Sequence, residues 1–544
     1  MNEQAPTDVL PPAAAGWPTE KAPHARSPRR AHFARAAFIG LCAGLLAVAF
    51  RQALAAAETG RETLLARLHL HPYWGWAILP LVGLMVGSLV GLSMQRFAPE
   101  AGGSGIPHLK GVLLHLRTLT WKKLIPVKFL GGVAGIGCGL SLGREGPTVQ
   151  MGAAVARALA GVLGAPESDI PQLLTAGAGA GLAAAFNAPL AGLVFVVEEL
   201  HRELSSRTAA GALVATICAT VVAQWLAGNT PSFEIHGLAA MPLGSLPLAA
   251  VIGVVGGLGG VVFNQSLLRM QSAAQSGVLR TGAAGTRLGV LPRWALPGVG
   301  GVVVGIVAWW LPEAVGGGHS VAERVLGGDF NVGLGALLLL LVVKLLLTTI
   351  SYASGAPGGI FAPMLLLGAL CGAAFAKAAA MAWPGMAAYS QVLAVLGMAA
   401  FFAGSVRAPL TGIVLVSEMT GGYDLLFPIC ICVLTAYLAA EALRDAPIYD
   451  ALLEADLHRS GHGPASPEPR SLYMGIQSRS MLAGKTIAEA PLPAGCIVVS
   501  LERGGAAIFP GPLAVLLPGD HVSILVPGDA PEAAMQIVHL CTGM

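Results

Sequence analysis

The chain has 544 residues, of which 55% are hydrophobic and only 11% charged, with a mean hydropathy of +0.70. A soluble globular domain carries about 25% charged residues, so this composition excludes an ordinary water-soluble protein and makes the bilayer the natural solvent. A net charge of +3 is too small to suggest a nucleic-acid partner, and eight cysteines with no CxxC pair suggest neither a disulfide framework nor a zinc site.

Residues 1–32 are polar and Pro-rich and read as a disordered segment. Arg26, Arg29, Arg30 and Arg35 lie just before or within the start of the first apolar run, which predicts a cytoplasmic N-terminus. Apolar segments of spanning length follow at roughly 33–56, 74–97, 122–142, 207–227, 243–270, 289–311, 333–351 and 424–443. Between them lie shorter pieces bounded by Gly or Pro, at about 104–116, 146–164, 170–186, 188–200, 359–380, 387–403 and 408–420. Several read as too short or too broken to cross alone. Broken helices are tolerated in lipid only where their ends are buried or line a cavity, and they point to an ion site near the midplane. The membrane domain is therefore 33–455, in halves of about 33–227 and 243–443. Residues 456–480 read as a polar linker, and 481–544 as a small α/β domain, because CIVVSLERGG and HVSILV alternate like strands and PEAAMQIVHL reads as a helix.

The two halves repeat one another. NAPLAGLVFVVEEL (187–200) matches RAPLTGIVLVSEMT (407–420), pairing Ala188 with Ala408, Pro189 with Pro409, Gly192 with Gly412 and Glu198 with Glu418. Upstream, Lys128 pairs with Lys344, Gly139 with Gly355, Pro147 with Pro363 and Gly152 with Gly368. This pattern sets Glu145 opposite Phe361 and Glu199 opposite Met419. It leaves open whether the halves are parallel or inverted.

Three segments carry the functional expectation: GSGIP (Gly103–Pro107), GREGP (Gly143–Pro147) and GGIFAP (Gly358–Pro363). Each precedes a short apolar helix, whose free N–H groups and partial positive charge suit an anion. Converging helix starts would bind a permeant anion without a full opposite charge, so that it can also leave. Glu145, beside Arg144, would either compete with that anion or form a structural ion pair. Glu198, duplicated by the repeat, reads as structural, whereas Glu199 is either a proton acceptor or a solvated helix-end charge. Lys128 and Lys344 either raise the local potential for anions or pair with acids, and pairing is the preferred expectation.

In this order and spacing, GSGIP, GREGP and GGIFAP resemble the signature motifs of the CLC chloride channels and proton-coupled exchangers. The resemblance covers about 35–455, including the late APIYDALL. It implies an all-α, multi-pass inverted-repeat bundle with broken helices, forming a homodimer in a bacterial inner membrane. It also implies a secondary active chloride/proton antiporter, with a passive voltage- or pH-gated channel as the alternative, and no cofactor. Carried over residue by residue, it implies an anion site at Ser104, Gly105, Ile106, Ile360, Phe361 and Tyr449, a gate at Glu145 and proton transfer at Glu199. His108 and Lys110 depart from the acidic residues that many bacterial relatives carry after GSGIP. The tail resembles the TrkA-C module on Arg503, Pro510 and the Pro518-Gly519-Asp520 turn, which implies a cytoplasmic regulatory domain with a small ligand or a dimerising role.

A reading from another class is an intramembrane serine protease, since Tyr352-Ala353-Ser354-Gly355 resembles the rhomboid nucleophile motif. A serine nucleophile needs a base within reach, and no histidine lies between His319 and His458. Ser354 also pairs with Cys138 in the repeat, a packing position.

Overall fold

In lipid, a spanning segment must satisfy its own backbone hydrogen bonds, so apolar runs of this length fold as helices. The computed structural model describes residues 28–114, 116–201, 206–233, 235, 241, 243–276, 292–459, 470–477, 479–503, 506–527 and 531–542. The first half contains α1 (Arg29–Leu68), α2 (Gly75–Phe97), α3 (Ile106–Leu113), α4 (Trp121–Gly137), α5 (Glu145–Val162), α6 (Ile170–Phe186), α7 (Pro189–Phe195) and α8 (Ser206–Ala227). The second contains α9 (Leu246–Ser276), α10 (Leu296–Trp310), α11 (His319–Gly327), α12 (Leu334–Ala353), α13 (Phe361–Ala382), α14 (Ser390–Val406), α15 (Pro409–Thr420) and α16 (Leu426–Ala442), after which α17 (Ile448–Arg459) closes the bundle. Among the described residues, nine helical stretches are long and apolar enough to cross a membrane. The chain is a multi-pass membrane protein.

Hydrogen bonds across the two halves make the repeat inverted. Glu198, in a π-helical turn (Val196–His201) that continues α7, accepts the N–H groups of Leu410 and Thr411 at the start of α15, at 3.0 and 2.7 Å. Glu418, near the end of α15, accepts those of Leu190 and Ala191 at the start of α7, at 3.1 and 2.7 Å. When the tail of each helix caps the head of the other, the two run antiparallel. The same two-fold logic recurs where α2 crosses α10: a Cβ on Gly83 would lie 2.2 Å from the carbonyl oxygen of Gly301, and one on Gly301 the same distance from that of Gly83.

Helix crossings are duplicated too. At the α5–α6 crossing, a Cβ on Gly152 would meet the Gly177 carbonyl at 2.2 Å; at the α13–α14 crossing, one on Gly368 would meet that of Gly397 at 2.5 Å. Only glycine permits such backbone approach. The repeat also extends into a stretch that sequence matching did not reveal. Pro99–Ala101 and Pro312–Ala314 both read Pro-Glu-Ala and both form a 3-10 turn before α3 and α11. Lys128 then donates to the carbonyls of Ala101 (2.9 Å) and Gly103 (2.6 Å), and Lys344 to those of Ala314 (3.1 Å) and Gly316 (2.6 Å). This corrects the expected pairing with acids: both buried ammonium groups instead satisfy carbonyls left open by a broken helix.

Segment boundaries differ in four places. The segments expected at 359–380 and 387–403 are long enough to span, as Phe361–Ala382 and as Pro384–Val406 with its leading 3-10 turn. Pro363 stands in the first turn of α13, where no intrahelical N–H is required. The run expected at 122–142 stops at Gly137, because Gly139 has φ +114°. Finally, α1 starts at Arg29, inside the segment expected to be disordered; residues 1–27 lie outside the described residues.

The tail forms a four-stranded antiparallel sheet in the order β1 (Arg470–Gly475), β4 (His521–Val526), β2 (Ile497–Arg503), β3 (Ala506–Ile508), followed by α18 (Pro531–Thr542). Leu472, Leu501, Val522, Ile524, Ile537 and Cys541 build its core. The domain therefore begins with β1, inside the stretch 456–480 expected to be a linker. Strand β1 holds the edge next to β4, in register from Arg470 opposite Val526 to Gly475 opposite His521. Arg503 on β2 donates to both carboxylate oxygens of Asp520, at 2.7 and 2.8 Å, and the Leu517 N–H donates to the same group at 2.7 Å. Burial alone would raise the Asp520 carboxyl, but these donors hold it below the usual aspartate range.

Candidate anion-binding site

The three glycine-containing motifs are physically one structure. Gly143 and Gly359 exchange a pair of backbone hydrogen bonds, at 2.6 and 2.7 Å, which sets the loops before α5 and α13 side by side. Gly103 bonds to the same second loop, donating to Ala356 (3.2 Å) and accepting from Gly358 (3.1 Å). The starts of α3, α5 and α13 are thereby held together. Gly105, with φ +85°, turns the chain into α3 in a conformation that disfavours any side chain with a Cβ.

Glu145 is the first residue of α5 and is 1% exposed. Its Oε2 accepts the Ala362 N–H at 3.3 Å, so the carboxylate lies at the head of α13 as well as of its own helix. Arg144 Nε stands 3.8 Å from Oε1, within ion-pair reach. The carboxylate itself occupies a position suited to an anion, where helix N–H groups meet. Ile106, Ile360 and Phe361 are fully buried. Phe361 is enclosed by Phe186, Phe195 and Phe402, with ring centroids 5.4, 6.3 and 4.7 Å away, which gives this helix start an apolar wall.

Two buried hydroxyls lack a hydrogen-bond partner among the described residues: Ser104 Oγ, just before α3, and Tyr449 Oη, on residues 1% and 0% exposed. Ser104 Oγ lies 2.5 Å from where a Cβ on Gly146 of GREGP would stand. Tyr449, in α17, is within electrostatic reach of both Glu145 and Glu199. Leaving a buried hydroxyl unsatisfied costs about 1–3 kcal/mol, and an acceptor reaching either group would remove that cost.

Glu199 lies in the π-helical turn after α7, 2% exposed. It is not a solvated helix-end charge: Lys110 Nζ donates to its Oε1 at 2.8 Å and also to Asp450 Oδ1. His108 turns elsewhere, with Nδ1 3.3 Å from Gln150 Nε2 and Nε2 3.8 Å from Glu100 Oε2. The structure thus separates two residues that sequence had treated together. Sequence reasoning missed Asp450, whose partner is remote in the chain, and the Ala362 N–H, which carries no side-chain signal. Ser354 Oγ donates to the Ser351 carbonyl at 2.6 Å, an ordinary bond back into its own helix.

The family model described as voltage gated chloride channel matches residues 86–441, and the TrkA-C domain model matches residues 475–538. Curated relatives named H(+)/Cl(-) exchange transporter ClcA, from Salmonella arizonae and Salmonella newport, are each 39% identical over 427 residues, covering 78% of this chain and 88% of theirs. A solved slow cyanobacterial Cl-/H+ antiporter superposes with a TM-score of 0.73 at 31% identity, over 80% of this chain and all of its own. A CLC-type fluoride/proton antiporter, 23% identical, shares the fold with a TM-score of 0.64, over 78% of this chain and 97% of its own.

Proposed function

From the chain's membership of the voltage-gated chloride channel family, we propose that it is a secondary active antiporter exchanging chloride for protons across a bacterial inner membrane. The observation that carries this reading is the Glu145 carboxylate seated at the joined starts of α5 and α13, where it accepts the Ala362 N–H. Ionised, it fills the place an anion would take. Protonated, it loses the attraction of the helix ends and gives way to chloride. One position that holds either chloride or the ionised gate links the two fluxes.

In this reading, chloride is held between the hydroxyls of Ser104 and Tyr449 and the N–H groups at Ile360 and Phe361, with Gly105 and Ile106 supplying the α3 start. Glu199 receives the proton from the inner side, and Glu145 passes it outward. The anion crosses on hydrogen bonds and partial charges alone, so it is bound without being trapped. We assign both termini to the cytoplasm, on the arginines around the start of α1. We further assign a homodimer, as the family resemblance implies, and a small regulatory ligand to the tail, on its TrkA-C match.

The test is reconstitution in liposomes under a chloride gradient, with external pH and chloride recorded together. Protons driven uphill by chloride, lost in Glu145→Ala and Glu199→Ala while chloride still moves, support the reading. Chloride flux without proton movement in the parent protein overturns it in favour of a passive channel.

A further inference from the structure

The exchange reaction leaves a buried cation beside Glu199 unexplained. Lys110 lies on α3, its side chain 6% exposed, with its ammonium shared between Glu199 and Asp450. Asp450 follows Tyr449 on α17, and a second ion pair, Arg117 to Asp456 at 2.8 Å, ties the segment after α3 to the same helix. A single ammonium therefore joins the candidate proton acceptor to the helix carrying one of the two unpartnered hydroxyls.

We propose that Lys110 is a positioning residue of exchange, which sets the inner pH at which Glu199 takes up its proton and couples that step to Tyr449 through Asp450. This rests on the exchanger reading given above. An opposite charge in hydrogen-bond contact favours the ionised carboxylate, so proton uptake must compete with the ammonium. When Glu199 is neutralised, Lys110 is left to Asp450 alone, and the pull on α17 changes in the same event. Two helices bring charged or hydroxyl groups against Glu199. Helix α3 contributes Lys110, with His108 turned to Glu100 and Gln150; α17 contributes Asp450 and Tyr449. Helix α6, Ile170–Phe186, and α7, Pro189–Phe195, carry no titratable side chain.

The geometry makes two substitutions act in opposite directions. Lys110→Met removes the ammonium that these two neighbouring carboxylates share, so Glu199 loads at higher pH. Asp450→Asn removes the competitor for the ammonium, so Glu199 loads only at lower pH. Lys110→Arg keeps the charge. The experiment measures proton flux in liposomes at a fixed chloride gradient while pH is varied on the side that faces Glu199. The expected result is a half-maximal proton concentration at least about tenfold lower for Lys110→Met, equivalent to one pH unit, higher for Asp450→Asn, and near parental for Lys110→Arg. A Lys110→Met profile superimposed on the parent, or both variants shifting the same way, overturns the proposal while leaving exchange intact. A parent that moves no protons overturns the exchanger reading and this proposal together. If Lys110→Met does not fold, Asp450→Asn decides alone: an acid shift supports the proposal, and an unmoved profile overturns it.

Discussion

The two halves of the membrane domain share a scaffold and differ at the positions we propose to carry the chemistry. Glu198 and Glu418 cap each other's helices, and Lys128 and Lys344 satisfy equivalent carbonyls. Where the first half starts α5 with Glu145, the second starts α13 with Phe361; where the first has Glu199, the second has Met419. These capping groups come in pairs, because an inverted repeat meets the same backbone problem twice. The acids proposed to titrate appear once, because transport has a direction.

The largest expected effect breaks this asymmetry. Glu145→Ala should reduce chloride-driven proton flux by at least about a hundredfold, whereas Phe361→Leu, the equivalent site, should keep the fluxes coupled, as checked by paired pH and chloride electrodes. The next effect tests the symmetry. Glu198→Ala and Glu418→Ala should each destabilise the folded protein by about 3–4 kcal/mol, since each removes at least two hydrogen bonds to a charged acceptor. Glu198→Ala should cost slightly more, because Glu198 also accepts the Thr411 hydroxyl at 2.7 Å. Thermal unfolding in detergent measures both; a large loss for only one would contradict the two-fold logic. Lys128→Met and Lys344→Met should then match each other at about 2–3 kcal/mol, each leaving two buried carbonyls open.

The tail stands outside the repeat and should respond by itself. Asp520→Ala should cost about 2 kcal/mol, seen as faster hydrogen exchange in β2 and β4 with the membrane helices unchanged. The sign with pH follows from its lowered carboxyl. The contribution is fully present above the ordinary aspartate value of 3.8 and is lost as pH falls through the still lower folded value. Acidification should therefore loosen this domain, and Asp520→Ala should remove that acid sensitivity.

Much of this was legible in sequence because its determinants are local. The three glycine motifs sit at helix starts, and the shared Pro and Glu of 187–200 and 407–420 survive as identities. The Pro-Glu-Ala pair escaped because the residues after it diverge, leaving a three-residue match that the fold alone makes meaningful. The cluster of Lys110, Glu199 and Asp450 was invisible because its members lie far apart in the chain and only packing of α3 on α17 joins them. Strand β1 escaped because a polar, Pro-rich run leads into it, and its pairing with β4 is what makes it a strand.

The reciprocal caps also bear on how the chain is made. The N–H groups of Leu190 and Ala191 wait for a carboxylate 228 and 227 residues further on. At a synthesis rate of about 5–20 residues per second, that interval is roughly 10–45 s. During it, the finished first half lies in the bilayer with the head of α7 uncapped, where an open amide is costly. Biogenesis of this protein therefore has a built-in vulnerable period, and a membrane insertase that shields the incomplete half until α15 arrives would determine how much of the protein matures.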